Sequence, residues 1–159
     1  MNGQTVIIRR MLPASCEEVF DAWVDADGMR EWMCPGPVSS SEVVLDPRVG
    51  GHFRIVMLAP DAQIVNTGEY LVLDRPAKLQ FTWTSSRWGP QETLVTVELE
   101  RRQSHCELVL THERFPLESS TEQLKKGWSE IMEKLRAYLG SGGTHHGMYR
   151  DPQSAKTDS

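Results

Sequence analysis

Alternation of apolar and polar residues over the middle of the chain constrains the fold more than any other feature. In residues 78–84, Leu79, Phe81 and Trp83 alternate with polar residues, and Val95, Val97 continue the pattern in residues 93–100. Successive side chains of a strand point to opposite faces of a sheet, so this period predicts strands with one covered face and one wet face. The middle of the chain is therefore predicted to form an antiparallel sheet.

The same alternation, broken by turn signals rich in proline, glycine and aspartate, marks the other strands. The predicted strands are residues 5–12, 38–45, 52–58, 64–73, 78–84, 93–100 and 106–113. A sheet of about six or seven strands follows from this spacing.

Helical signals lie at the two ends of this strand-rich region. Ser15 and Glu18 form a capping box before an apolar helix face, and Asp25 is placed to cap a second short helix that ends at Trp32. A longer helix is predicted before Gly140, because apolar residues recur there at helical spacing. These residues are Leu124, Trp128, Ile131, Leu135 and Leu139. The long helix is expected to cover the apolar face of the sheet.

The last residues differ in composition from the rest. Residues 141–159 contain almost no aliphatic side chain, so they cannot offset the entropy of becoming ordered. We expect one folded domain over residues 1–140 and a disordered tail after it.

Two adjacent glycines, Gly50 and Gly51, stand before the strand that begins at His52 and raise the question of a phosphate-binding loop. Such loops need either a Gly-Lys-Ser/Thr ending or a third glycine that opens a helix, and this sequence has neither. We therefore expect the pair to supply a positive φ or a bulge before the strand.

Charge and cysteine content exclude several classes of function. The net charge is −5, from 17 basic and 22 acidic residues, without a basic stripe that would neutralise nucleic acid. The N-terminus lacks the features of a secretory signal, and no apolar run has the length of a membrane span. Three widely spaced cysteines favour free thiols in a reducing compartment. A cytoplasmic protein that neither binds nucleic acid nor crosses the membrane is expected.

Four motifs occur in an order that resembles a known family. They are PASCEEVFDAWVDADGMREWM, DPRVGGHFRIVM, GEYLVLDRPAKLQFTW and KKGWSEIMEKLRAYL. Across residues 4–140 the chain is similar to stand-alone relatives of the C-terminal domain of the heat-shock chaperone ATPase activator, the AHSA-like family within the START-like (SRPBCC) superfamily. The resemblance implies an α+β helix-grip fold, in which a curved antiparallel sheet wraps around the long C-terminal helix. It also implies a deep cavity between sheet and helix.

The expected function is binding of a small hydrophobic or amphipathic ligand in that cavity. Candidate ligand-binding residues are aromatic or methionine side chains on inward faces, with one histidine as a polar anchor. They are Trp32, Phe53, Met57, Tyr70, Phe81, Trp83, His112, Trp128 and Met132. Gly127 beside Trp128 also indicates a space kept open, because a glycine inside a helix costs about 1 kcal/mol relative to alanine.

Two other functions stay open at this point. The family name suggests a stress-related protein that modulates a chaperone ATPase, with a chaperone or a second copy of this chain as partner. Some members of the superfamily are cyclases or hydrolases, which would use the same cavity. No nucleophile with a base, carboxylate pair or set of metal ligands has diagnostic spacing, so we expect no catalytic residues, metal or cofactor. The sequence thus favours a binding protein over an enzyme.

Overall fold

The computed structural model describes residues 4–115 and 121–140. The predicted tail, residues 141–159, lies outside the described residues. The order of elements confirms the prediction of one strand, two short helices, six strands and a long helix. The elements are β1 (Gln4–Leu12), α1 (Cys16–Trp23), α2 (Ala26–Trp32), β2 (Ser40–Leu45), β3 (His52–Ala59), β4 (Ala62–Asp74), β5 (Lys78–Ser85), β6 (Thr93–Arg102), β7 (His105–Phe115) and α3 (Thr121–Gly140).

The seven strands form one curved antiparallel sheet in the order β1-β7-β6-β5-β4-β3-β2. Strand β5 alternates strictly between buried and half-buried residues, as its sequence predicts, and Leu79, Phe81 and Trp83 point inward. Helix α3 buries Trp128 and Leu135, among others, against the covered side. The α+β helix-grip fold is therefore confirmed. No helix among the described residues combines the length and the apolar composition needed to cross a bilayer.

The two short helices differ in the side-chain hydrogen bonds at their N-termini. Ser15 Oγ accepts a hydrogen bond from the backbone N–H of Glu18 at 3.0 Å, and Glu18 Oε1 accepts one from the N–H of Ser15 at 3.0 Å. The predicted capping box is present. Asp25 occupies the N-cap position of α2, but its side chain makes no capping hydrogen bond. Its backbone carbonyl accepts instead from the N–H of Met29 at 2.9 Å.

The glycine pair shapes the turn between β2 and β3 in two different ways. Gly50 has a φ of +87°, a left-handed conformation that favours glycine. Gly51 does not have a positive φ; a side chain there would overlap the carbonyl oxygen of Asp46. The loop is also bonded to β4, because the Gly50 N–H donates to the Tyr70 carbonyl and the Tyr70 N–H donates to the Gly51 carbonyl, both at 2.9 Å. The pair thus serves the geometry of a turn.

Candidate ligand-binding site

The side chains predicted to bind a ligand all lie in the interior, with exposed fractions from 0% to 5%. The sheet and two of the helices contribute to this set. Its members are Trp32 on α2, Phe53 and Met57 on β3, Tyr70 on β4, Phe81 and Trp83 on β5, His112 on β7, and Trp128 and Met132 on α3.

Trp83 stands at the centre of this group. Its ring centroid lies 5.7 Å from that of Phe53, 6.2 Å from that of Phe81 and 5.5 Å from that of Trp128. These separations are in the range of favourable aromatic pairs. Strand alternation places Trp83 inward, and the indole then borders a small space on either side, one beneath α2 and one beneath α3.

The first space, the α2 cavity, is apolar and has a volume of about 10 Å³. It brings together four of the predicted residues with five that the sequence did not single out. Its lining consists of Trp23, Met29, Met33, Leu45, Phe53, Ile55, Tyr70, Phe81 and Trp83. The space is about that of a single water molecule.

The second space, the α3 cavity, has a volume of about 30 Å³ and a more polar rim. Its lining consists of Pro35, Met57, Asn66, Trp83, Ser85, Arg87, Trp88, Leu124, Gly127, Trp128 and Ile131. A Cβ added at Gly127 would meet only the Pro35 side chain, at 4.0 Å. Gly127 therefore borders open space, as its position in the helix predicts. Both cavities are far smaller than pockets that enclose drug-sized ligands.

Three of the predicted residues, Trp32, His112 and Met132, are buried but line neither cavity. Met29 and Met33 both line the α2 cavity, although they were not among the predicted residues. Met33 caps the C-terminal end of α2, and its spacing of four residues from Met29 places the two on the same side of the helix, which was the available signal.

His112 is held by a chain of hydrogen bonds that joins α3 to the sheet. The Trp128 indole Nε1–H donates to His112 Nδ1 at 3.0 Å, and His112 Nε2 lies 2.8 Å from Thr93 Oγ1. An indole nitrogen only donates, so His112 Nδ1 is the acceptor. The neutral ring therefore carries its hydrogen on Nε2, and Nε2–H donates to Thr93 Oγ1. The Thr93 hydroxyl donates in turn to the Trp83 carbonyl.

The surroundings of His112 keep its ring neutral. The side chain is fully buried, and this burial lowers the pKa of His112 to about 3. Both ring nitrogens already have protein partners. The histidine therefore ties the helix to the sheet, and its role as a polar anchor for a ligand stays a prediction.

Two indole nitrogens at the other end of the interior have no such partners. Trp23 Nε1 and Trp32 Nε1 are buried and make no hydrogen bond with the described residues. The two rings pack edge to face, with centroids 4.9 Å apart. A buried donor left unpaired costs about 1–3 kcal/mol. Trp23 also lines the α2 cavity, so one of these two unpaired donors belongs to a side chain that borders that space.

Tyr70 adds a second polar group to the α2 cavity. Burial and the negative charge of nearby Asp46 both raise the pKa of the Tyr70 phenol. The hydroxyl therefore stays neutral at any physiological pH and can both donate and accept.

Among the described residues, His, Cys, Asp and Glu side chains form no group of three or more that would hold a metal ion.

Solved structures with the same fold support this architecture. A Rhodobacter sphaeroides protein superposes with a TM-score of 0.78 at 21% identity, over 86% of this chain and 92% of its own. The Mll3558 protein from Rhizobium loti gives 0.72 at 25% identity, over 84% and 95%. An HSP90 activator from Plasmodium falciparum gives 0.70 at 24% identity, over 87% and 97%.

Sequence comparison reaches the level of the family. No curated protein matches the chain significantly. The family model described as Activator of Hsp90 ATPase homolog 1-like protein matches residues 13–140, which confirms the resemblance carried by the four motifs. The chain belongs to the family of Activator of Hsp90 ATPase homolog 1-like proteins.

Proposed function

We propose that this protein binds a small amphipathic ligand that carries a hydrogen-bond acceptor, with the acceptor at Trp23 Nε1 and the apolar part in the α2 cavity. The observation that supports this most is that Trp23, whose buried indole N–H has no partner among the described residues, lines an apolar space. Pockets that bind small molecules combine an apolar lining with a few polar groups that fix orientation. Phe53, Phe81 and Trp83 supply the lining here.

The ligand enlarges the cavity by displacing flexible side chains. Met29 on α2 and Met33, directly after its end, form one wall, and methionine side chains adapt their shape at low cost because they are unbranched and have three rotatable bonds. Helix α2 itself has only seven residues. The space of about 10 Å³ therefore has to widen when the ligand enters.

A pair of adjacent substitutions tests this function. Leu45 is half-buried at the cavity wall, whereas its neighbour Val44 points outward and is 67% exposed. The probe is anilinonaphthalene sulfonate, a fluorescent molecule with apolar rings and an acceptor sulfonate. Leu45→Trp should fill the cavity and weaken probe binding more than about tenfold, or about 1.4 kcal/mol, whereas Val44→Trp should stay within about twofold.

Equal probe affinities for these two variants would refute the assignment to the α2 cavity. Native mass spectrometry of gently purified protein provides a second test, since a resident ligand adds a discrete mass that disappears on denaturation. We place this function in the cytoplasm, because the three cysteines are free thiols.

A second candidate function is modulation of a chaperone ATPase, which the family description suggests. Exposed apolar side chains favour a protein partner: Ile7 and Met11 lie on β1, and Val44 lies on β2, the two edge strands of the sheet. Replacing Ile7 and Met11 by lysine should abolish any stimulation of a purified Hsp90 ATPase, and Thr5→Lys on the same exposed face serves as control. If the wild type does not change the ATPase rate, this candidate is excluded.

A homodimer through the same edge strands would appear as a doubled mass in size-exclusion chromatography with light scattering.

No observation among the described residues favours the cyclase or hydrolase alternative, since the one fully buried histidine has both nitrogens engaged.

A further inference from the structure

Two of the three cysteines are in contact although they are 90 residues apart in the chain. Cys16 Sγ and Cys106 Sγ lie 2.7 Å from each other, and both are free thiols. A disulfide bond has a length of about 2.05 Å, so only a small shift separates these sulfur atoms from bonding distance. Nothing in the ligand-binding site uses either thiol.

The fold holds both cysteines in place. Cys16 is the first residue of α1, and the capping box of Ser15 and Glu18 fixes that turn. Cys106 pairs directly with Leu12 at the end of β1, a few residues before the helix begins. Cys34 lies elsewhere, with its thiol 3.3 Å from the Arg30 carbonyl oxygen. The start of α1 and the pairing of β1 with β7 therefore hold the two sulfur atoms in contact.

We propose that Cys16 and Cys106 form a reversible oxidation site, at which a small peroxide produces an intramolecular disulfide. The Cys16 sulfur attacks one oxygen of hydrogen peroxide, which breaks the O–O bond and leaves a Cys16 sulfenic acid and water. The Cys106 sulfur then attacks the Cys16 sulfur, forms the S–S bond and releases the second water. Two thiols and one peroxide thus give one disulfide and two waters, and a small dithiol reverses the reaction.

The surroundings decide which sulfur reacts first. Cys16 is 8% exposed and Cys106 is 0% exposed, so a small oxidant reaches Cys16. Burial, with the neighbouring Cys16 thiol as a further cause, raises the pKa of Cys106. Cys106 is therefore the poorer first nucleophile and acts as the resolving thiol, whose proton leaves with the sulfenic acid oxygen as water when the S–S bond forms.

Mass spectrometry of the full chain tests the proposal. Reduced protein, freed of reductant, is treated with a small excess of hydrogen peroxide. The intact mass should fall by two hydrogen atoms, the peptides containing Cys16 and Cys106 should become linked, and dithiothreitol should reverse both changes. The oxidised form should melt roughly 10 °C above the reduced form, because the cross-link closes a long loop.

Matched variants separate this disulfide from other oxidation. Cys34→Ser should retain the loss of two hydrogens, whereas Cys16→Ser and Cys106→Ser should each abolish it. An unchanged mass, oxygen added to Cys16 without a link, or a link that involves Cys34 would each overturn the proposal. Since the decisive result comes from the wild-type chain, it does not depend on whether the variants fold.

Discussion

The two ends of the interior treat their buried polar atoms in opposite ways. Beneath α3, a continuous chain of hydrogen bonds runs from the Trp128 indole through His112 and Thr93 to the carbonyl of Trp83. Beneath α2, Trp23 Nε1, Trp32 Nε1 and Asp25 Oδ1 have no partner among the described residues. Both regions are closely surrounded by aromatic rings, so packing alone does not distinguish them.

This difference indicates at which end a new hydrogen bond to a ligand would be more favourable. A ligand that approached His112 would first have to break a protein hydrogen bond, and the net gain would be small. A ligand acceptor that approached Trp23 would satisfy a donor that folding has already removed from water. The α3 end therefore holds the helix to the sheet, and the α2 end is where we propose that the ligand binds.

The largest difference in stability between the two ends is expected when the hydrogen-bonded histidine at the α3 end is replaced. His112→Leu leaves the Trp128 indole N–H buried without an acceptor, and the free energy of unfolding should fall by about 2–3 kcal/mol. His52→Leu is the control, because that side chain is 75% exposed, and its effect should stay within about 0.5 kcal/mol. Urea unfolding measures both. Equal effects would show that the hydrogen-bond chain contributes nothing specific.

The pH dependence of stability sharpens the same point. The pKa of His112 is about 3 in the folded protein and about 6.5 in the unfolded chain, so below pH 6.5 the unfolded state binds a proton that the folded state does not. This contribution to stability is complete above pH 6.5 and is lost as the pH falls. Unfolding free energy should drop by about 2 kcal/mol between pH 7 and pH 5 from this group.

Unfolding curves of the wild type and of His112→Leu at both pH values isolate that contribution. The variant should lack the drop of about 2 kcal/mol, while sharing any change caused by other groups. A parallel pH dependence in the two proteins would mean that His112 takes up protons in the folded state.

Two tryptophan substitutions compare the ends of the interior directly. Trp128→Phe removes a hydrogen bond to a buried acceptor, whereas Trp23→Phe removes a donor that has no partner. Both side chains are almost fully buried, so the loss of ring area is similar. Trp128→Phe should therefore be more destabilising, by about 1–2 kcal/mol, in thermal or urea unfolding. The reverse order would contradict the assignment of the paired and unpaired ends.

The smallest expected effect comes from the α3 cavity. Gly127→Ala should raise the unfolding free energy by about 0.5–1 kcal/mol, because alanine is the better helix former and its Cβ meets only Pro35. Binding of anilinonaphthalene sulfonate should stay within about twofold of wild type. A large loss of probe binding in this variant would move the site from the α2 end to the α3 end.

Local sequence patterns predicted the fold and much of the wall of the site. The alternation of β5 alone places Phe81 and Trp83 inside, and the capping box of α1 depends on residues three positions apart. The role of His112 was not accessible in this way, because its partners Thr93 and Trp128 lie 19 and 16 residues away on other elements. Hydrogen bonds of that kind depend on how the elements pack.

The volume of the interior was also beyond the sequence. Aromatic residues on inward faces are compatible with an open pocket and with a nearly filled core, and here the α2 cavity is nearly filled. The sequence also did not show why glycine is required at position 51. The Asp46 carbonyl oxygen, which excludes a side chain there, comes close only in the folded turn.

The central claim is that an acceptor-bearing ligand binds at Trp23, and indole resonances in a ¹H–¹⁵N spectrum test it most directly. The titrant is 2-octanone, an apolar chain with one carbonyl acceptor, and the Trp23→Phe spectrum assigns the Trp23 resonance. The Trp23 Nε1–H signal should move downfield in a saturable way, while the Trp128 signal, already hydrogen-bonded to His112, should stay in place. A shift of Trp128 with Trp23 unmoved, or no indole shift up to the solubility limit, would contradict the account.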